Sequence, residues 1–310
     1  MAAPPVSSQE LEAAVMAYRF HGSKRVAANA LGIPRSTLRD RLEIAQRSGT
    51  NLSGVTQPAK GRTEVDLKDG TIVVFSDAHF WPGPPSTAFL ALIKLIKKLK
   101  PKVIIANGDL TDMATISRHP PLGWASMPTV QDELEICQER LGEIAKACGK
   151  HTKKLWPVGN HDSRLECRLA QVAPELKNVY GTSLADHFPD WEPCYSVFVN
   201  ADLVVKHRFK GGQYAHANNS LWSGRTYITG HLHNQAVIRI SDLNGTRWGV
   251  DTGCLADIYG EQFSYLEDNP RSWQAGFVVV SYVAGRLLTP ELVRVVEPDL
   301  VEFRGELIEV

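Results

Sequence analysis

The sequence predicts an α/β fold, two packed β-sheets flanked by helices, preceded by a small all-α segment. Three observations point to it. Strand-length apolar runs alternate with amphipathic helical patterns from residue 71 to 158. Strand patterns dominate after residue 195. Three short helical patterns come before both, set off by a stretch rich in Gly, Ser, Thr and Pro. A β-α-β half followed by a strand-rich half buries its apolar faces when two sheets pack together with helices outside.

The elements follow in order. Gln9–Phe20 reads as a helix, with Leu11, Val15 and Tyr18 at helical spacing. Ser23 is placed to cap a second short helix, Lys24–Ala30, and Gly32 then breaks the pattern. Ser36–Gln46 forms a third helix with Leu38, Leu42 and Ala45 on one face. The stretch from Ala28 to Leu38 resembles the helix-turn-helix signature. Its demands are steric: close helix approach at Ala28, a turn at Gly32, and an aliphatic, Leu38, to close the small core. Residues 1–47 are therefore expected to be a helix-turn-helix domain. Read as a DNA binder, it places Arg35, Ser36, Thr37 and Arg39 at the start of the recognition helix, where groove contacts are made. Arg41 and Arg47 would suit phosphates. The other reading is a three-helix docking or dimerisation unit whose basic residues are simply solvated. Residues 48–66 are expected to be a linker and residues 67–310 the second domain.

In that second domain Thr71–Ser76 is a strand. Ser86 caps an amphipathic helix to Lys100, with Phe89, Leu92, Ile93, Ile96 and Leu99 as its inner stripe. Val103–Ala106 is the next strand. Thr129 caps a helix carrying Leu134, Cys137, Leu141, Ile144 and Cys148, and Gly149 ends it. Leu155–Val158 is a third strand. Ser196–Val199, Leu203–Lys206, Ala236–Ser241, Thr246–Val250 and Gly276–Tyr282 follow, with Asn244-Gly245 as a hairpin turn.

Composition narrows the function classes. Hydrophobic content of 43% and charged content of 22% suit a soluble globular chain, and the apolar runs are far too short to span a bilayer. The amino terminus lacks the basic and apolar regions of a secretory signal. The five cysteines are scattered without a C-x-x-C, so neither a disulfide framework nor a zinc ribbon is indicated, and a cytoplasmic location is expected. Net charge is zero, yet residues 1–62 hold nine Lys/Arg against four Asp/Glu, a balance of +5, and the remainder carries −5. A basic module attached to an acidic body follows.

The chemistry lies at strand ends, where α/β enzymes place reactive groups. Asp77-Ala-His79 ends the first strand of the second domain, Gly108-Asp109-Leu-Thr-Asp112 the second, and Gly159-Asn160-His161-Asp162 the third. Lys206-His207 and Gly230-His231-Leu-His233 each follow a later apolar run. Carboxylate and imidazole donors without Cys suit manganese, iron or zinc in a pair, with manganese expected first. Two metals about 4 Å apart can hold the attacking and leaving oxygens of an in-line displacement. A donor set with two carboxylates among seven ligands leaves the pair net positive, which favours a phosphate anion.

D-x-H, G-D-x-x-D, G-N-H-D, H and G-H-x-H in this order resemble the calcineurin-like metallophosphoesterase family, over residues 77 to 233. The resemblance implies a four-layer α/β/β/α sandwich and a metal-dependent phosphoester hydrolase. It puts Asp77, His79 and His233 on one metal, with Asn160, His207 and His231 on the other. Asp109 would bridge them together with a nucleophilic hydroxide. His161 matches the family's non-ligand histidine that contacts the phosphate and protonates the leaving group, and Asp112 the carboxylate that orients it. Phe80 and Met113 stand where the protein-phosphatase branch has Gly and Arg, so the chain looks more like the phosphodiesterases and DNA-repair nucleases. It is also similar to metallophosphoesterases encoded by phages and prophages.

Arg164, Arg208 and Lys210, close in sequence to the expected ligands, are candidates for holding substrate phosphate. So is Arg118 in the Pro-containing insert Met113–Pro128, which also bears His119 and Trp124. The expected function is a phosphodiesterase acting on nucleic acid, with DNA as partner, no membrane association and a homo-oligomer open. The alternatives are action on nucleotides or small molecules, and a DNA-binding regulator with an inactive metal domain.

Overall fold

The computed structural model describes residues 6–21, 24–47, 61–118, 123, 126–269 and 271–310. The chain divides into two compact units, Met1–Arg62 and Thr63–Val310.

The first unit holds three helices, α1 (Ser8–His21), α2 (Lys24–Ala30) and α3 (Arg35–Arg47). Ser7 and Glu10 exchange hydrogen bonds across the start of α1, satisfying amide donors that helix geometry leaves unpaired. Ala14, Val15, Ala27, Ala28, Leu38, Leu42 and Ala45 form a small core, and the alanines let the helices approach closely. Gly32 takes a φ of +64° between α2 and α3, a conformation glycine adopts without steric cost. The expected cap Ser23 and residues 48–60 of the expected linker lie outside the described residues.

The linker expected to reach residue 66 does not do so. Arg62–Val65 is a strand, β1, at the edge of a sheet, because Val65 and Leu67 drop into an apolar core while Glu64 and Asp66 stay exposed. The Asn200 side chain fixes Leu67 by pairing with both its backbone N–H and its carbonyl, each at 2.9 Å.

The second unit is built on two sheets. The larger takes the strands β2 (Gly70–Phe75), β3 (Val103–Ala106), β4 (Lys153–Pro157) and β5 (Glu192–Cys194), all parallel in that order. On the other side of β2 it continues antiparallel through β11 (Gly276–Val283), β13 (Glu291–Glu297), β14 (Leu300–Phe303) and β15 (Glu306–Glu309). The short β12 (Arg286–Leu287) pairs with β11. The smaller sheet runs β1, β6 (Ser196–Val199), β7 (Leu203–Val205), β8 (Thr226–Thr229), β10 (Gly245–Asp251) and β9 (Ala236–Asp242). The β9–β10 hairpin pairs Asp242 with Gly245, so the turn residues are Leu243 and Asn244, one position earlier than the sequence suggested.

Strand periodicity sorts the core. Val73, Phe75, Ile104, Ala106, Phe277 and Val279 face α4 (Thr87–Leu99) and α5 (Val130–Ala147) through Phe89, Leu92, Ile96, Leu134, Leu141 and Ile144. Ile72, Val74, Val103, Ile105, Val278 and Val280 face the other way, onto Val197, Val199, Leu203, Val205, Ile228 and Val250 of the smaller sheet. Thr129 and Asp132 close a capping box on α5, and Ser86 caps α4. Three further helices, α6 (Arg164–Val172), α7 (Leu184–His187) and α8 (Ala215–Ser223), complete the unit, α8 against β8, β9 and β10. Among the described residues no helix is long and apolar enough to cross a membrane.

Candidate metal centre

Five chain segments leave the C-terminal ends of β2, β3, β4, β7 and β8 and converge. They bring two groups of metal-ligating side chains together, Asp77, His79 and His233 in one and Asp109, His207 and His231 in the other, while Asp112 and His161 gather with His79 in a third set. Within each group the donor atoms lie within 4.8 Å of one another. Asn160 and His161 follow β4 into the same place.

The backbone pays attention to these positions. Asp77, His79, Asp109, His231 and His233 all have positive φ, between 38° and 74°. Left-handed backbone is uncommon outside glycine and most tolerable for Asn, Asp and His. Each strand thereby ends abruptly and aims its polar side chain at the centre. Two glycines are required by proximity: a Cβ on Gly108 would lie 2.6 Å from the His207 ring, and one on Gly230 would lie 2.2 Å from the Ser76 hydroxyl.

Tautomers follow from the hydrogen bonds. His207 Nδ1 donates to the Asn107 carbonyl at 2.7 Å, which leaves the Nε2 lone pair facing Asp109 Oδ2 at 3.1 Å. His79 Nδ1 lies 3.0 Å from Asp112 Oδ1, again freeing Nε2. Asp77 Oδ2 accepts from the Ser76 hydroxyl and from the His231 N–H at 2.8 Å, while its Oδ1 lies 3.2 Å from His233 Nε2. His207 Nε2, His79 Nε2, Asp77 Oδ1 and Asn160 Oδ1 are all buried without a hydrogen-bond partner. Buried polar atoms left bare are costly, so this many in one place calls for a cation.

Electrostatics agrees. Burial works against charge on His207, but the adjoining Asp109 carboxylate outweighs it and pushes the ring up to about 10, so the Nε2 edge attracts positive charge, which a proton or a divalent ion would equally supply. Burial likewise opposes ionisation of Asp109, yet His207, His161 and His79 hold its carboxyl well below the usual range. Asp109 thus acts on both groups, and its Oδ1 also accepts the His161 N–H at 2.8 Å. Carboxylate, imidazole and amide oxygens fit a pair of borderline divalent ions.

Beside the two groups stands His161. Its Nδ1 is 2.8 Å from Asp112 Oδ1, and its Nε2 is 3.8 Å from Asp109 Oδ2. Burial lowers its pKa, but the Asp112 bond and the Asp109 charge more than offset that, so the ring holds its proton above the ordinary 6.5. Arg164 donates to the Asp112 carbonyl at 2.6 Å, with Nη2 3.3 Å from His161 Nε2. Arg208 and Lys210 line a small cleft with His231, Lys210 over the Trp222 ring at 3.5 Å.

Other expected contacts are placed differently. Arg118 is exposed on the insert, and neighbouring His119 and Trp124 lie outside the described residues. In the first unit Arg35 and Ser36 are exposed and Thr37 is half-buried. Arg39 pairs with Asp40 at 3.1 Å, and Arg41, 17% exposed, pairs with Glu10 of α1. Arg41, expected to meet phosphate, thus has an ion-pair partner inside the unit.

Two supporting carboxylates escaped the sequence reading. Asp162 accepts the N–H groups of Asp109, Leu110 and Gly159 and the Trp156 indole, each at 2.8 to 2.9 Å. Glu133 of α5 accepts those of Asp112 and Ala114 at 2.9 and 2.8 Å, and that of Met113 as well. They fix the β3 and β4 loops. Asp162's place in the Gly-Asn-His-Asp run was the available signal; Glu133 had none.

The sequence profile of the family described as Calcineurin-like phosphoesterase matches residues 70–252. No curated protein sequence matches the chain. Among solved structures, Vps29 of Entamoeba histolytica complexed with zinc is similar at 12% identity and a TM-score of 0.40, covering 77% of this chain and 98% of that one. The Pseudomonas putida nuclease MPE is 15% identical, with a TM-score of 0.32 and coverage of 71% and 86%. A dimetal phosphatase from Danio rerio is 10% identical, with a TM-score of 0.38 and coverage of 76% and 99%.

Proposed function

The chain belongs to the calcineurin-like phosphoesterase family and is a metal-dependent phosphoester hydrolase; we propose that it is a phosphodiesterase acting on nucleic acid. The observation that carries the reading is the set of bare, buried donor atoms facing one another on either side of Asp109. Asp77, His79 and His233 would hold one divalent ion and Asn160, His207 and His231 the other, with Asp109 between. When bound, the pair supplies charge to neutralise a phosphoryl group and activate water.

The remaining steps belong to this chain's own side chains. His161 carries a proton beside the Asp109 edge of the centre and delivers it to the leaving oxygen, worth about 10²- to 10⁴-fold. Asp112 holds that ring in orientation. Arg164, tied to the Asp112 carbonyl and next to His161, is placed to meet a non-bridging phosphate oxygen. Arg208 and Lys210 extend positive charge along the His231 side. A nucleic-acid substrate is favoured by the basic balance of residues 1–62, whose exposed Arg35 and Ser36 sit at the start of α3 as in a helix-turn-helix reader.

The test uses purified full-length protein with manganese, zinc or iron. It compares bis-nitrophenyl phosphate, mono-nitrophenyl phosphate, single- and double-stranded DNA, and RNA. Diester turnover with cleavage of a polymer is the expected result. Diester turnover that leaves every polymer intact would remove the nucleic-acid part and point to nucleotides or small diesters. No turnover with metal bound would point to a regulator.

A further inference from the structure

Residues 257–269 and 271–273 pass beside the metal centre, with a tight helical turn at Glu261–Leu266. Phe263 is buried, its ring centroid 5.2 Å from that of His79, 5.6 Å from His233 and 5.0 Å from Trp273. Trp273 stands 4.2 Å from His233. These two rings back the imidazoles of the first ligand group. The residues around them are not needed for that task. Tyr265, centroid 6.5 Å from Phe263, is 57% exposed, and Tyr259 is 80% exposed. The Arg271 guanidinium carbon lies 5.4 Å from the Tyr259 ring and 5.7 Å from the Trp273 ring, and its buried Nη1 has no hydrogen-bond partner.

These observations combine in one surface. Two large aromatic side chains are left in water next to a site for phosphate. A guanidinium group stands beside two rings, with a donor unspent. Charge around it is wrong for tracking a polyanion, since Asp257, Glu261, Glu267 and Asp268 on the same segment are exposed. What the segment offers is flat π faces with a guanidinium beside them, the complement of an aromatic heterocycle.

We propose that Tyr259, Tyr265 and Arg271 form a platform that binds the nucleobase of the nucleotide whose phosphate enters the metal centre. The assignment rests on the phosphodiesterase reading for its location and adds the substrate group that is recognised. The tyrosine rings stack on the base, with the Arg271 guanidinium beside the Tyr259 ring supplying positive charge.

The test is calorimetric binding of adenosine 5′-monophosphate and of ribose 5-phosphate to the full, metal-loaded chain, two probes differing only in the base. Wild type should bind the nucleotide on the order of tenfold more tightly, the scale of one stacking contact. Tyr259→Leu and Tyr265→Leu, at exposed positions, should each shrink that ratio, and the double variant should bring it near unity, while Tyr265→Phe retains it. Equal affinity for both probes in wild type overturns the platform, as does an unchanged ratio in the double variant. A ratio that collapses as expected in a protein that cleaves no polymer leaves the platform standing and removes only the polymeric substrate.

Discussion

Asp112 Oδ1 stands 2.8 Å from Nδ1 of His161 and 3.0 Å from Nδ1 of His79, so one oxygen orients both an acid and an expected ligand. Asp112→Asn should therefore lower kcat by roughly 10²-fold or more, the scale of lost general acid catalysis and a lost outer-shell partner. It should also move the alkaline limb of the pH–rate profile. His161 is kept protonated above 6.5 in part by this carboxylate, so its loss lowers the ring's pKa and shifts the limb to lower pH. Bis-nitrophenyl phosphate kinetics across pH would read this, and an unmoved limb would assign the limb to another group.

The bare donor atoms predict a stoichiometry. Elemental analysis should find two divalent ions per chain, and Asp109→Asn or His207→Ala should bring it below two. Chelation should lower the melting temperature, because ions that bind only the folded state stabilise it by about 4 kcal/mol at a thousand times Kd. A melting temperature indifferent to chelator would mean the clusters are satisfied without metal.

Asp162 is a fully buried acceptor for four amides and an indole. Removing it in Asp162→Ala strands those donors, and each unsatisfied buried donor costs about 1–3 kcal/mol. Urea unfolding should show a loss of at least roughly 3 kcal/mol. A smaller loss would show that water replaces the carboxylate.

Glu133 gives a pH dependence of stability. Burial pushes it up to about 7 from 4.5, although the amides of Ala114, Met113 and Asp112 pull the other way. Between those pH values the folded chain binds more protons than the unfolded one, so stability from this group falls as pH rises through the window, by up to roughly 3 kcal/mol. Urea midpoints at pH 5 and pH 8 should differ more in wild type than in Glu133→Gln. The reverse ordering would mean the three amides keep the carboxylate ionised.

In the first unit, Arg35→Ala should weaken DNA binding, while Arg41→Ala should instead destabilise the helices by breaking the pair with Glu10. Fluorescence anisotropy against salt and a thermal melt separate the two. If Arg41→Ala is the variant that loses DNA with the fold intact, the ion pair opens on binding.

Much of this was readable in advance because apolar runs end on polar residues. Ile72–Phe75 and Val103–Ala106 are continuous buried strands, and Asp77, His79 and Asp109 stand two to four residues beyond them. β1 was hidden because Arg-Thr-Glu-Val is mostly polar, as an edge strand tolerates. α8 was hidden because Ala-His-Ala-Asn-Asn-Ser carries no apolar stripe until Leu221 and Trp222. Asp77, His79, His233, Asp109, His207 and His231 fall into two donor groups, but Asp162 and Glu133 act on backbone amides of segments distant in sequence, and no spacing encodes that.

The left-handed backbone at Asp77, His79, Asp109, His231 and His233 has a bearing on how such a chain drifts over generations. Asp, Asn and His are the side chains that this conformation accepts most readily after glycine, and they are also the oxygen and nitrogen donors that metals take. A lineage released from selection on catalysis would still be held to nearly the same alphabet at these positions by the turns alone. The motif would outlive the activity, with glycine and asparagine as the first substitutes. In relatives of this chain, an Asp or His retained there testifies to the turn, and His161, whose φ is not left-handed, is the better witness to turnover.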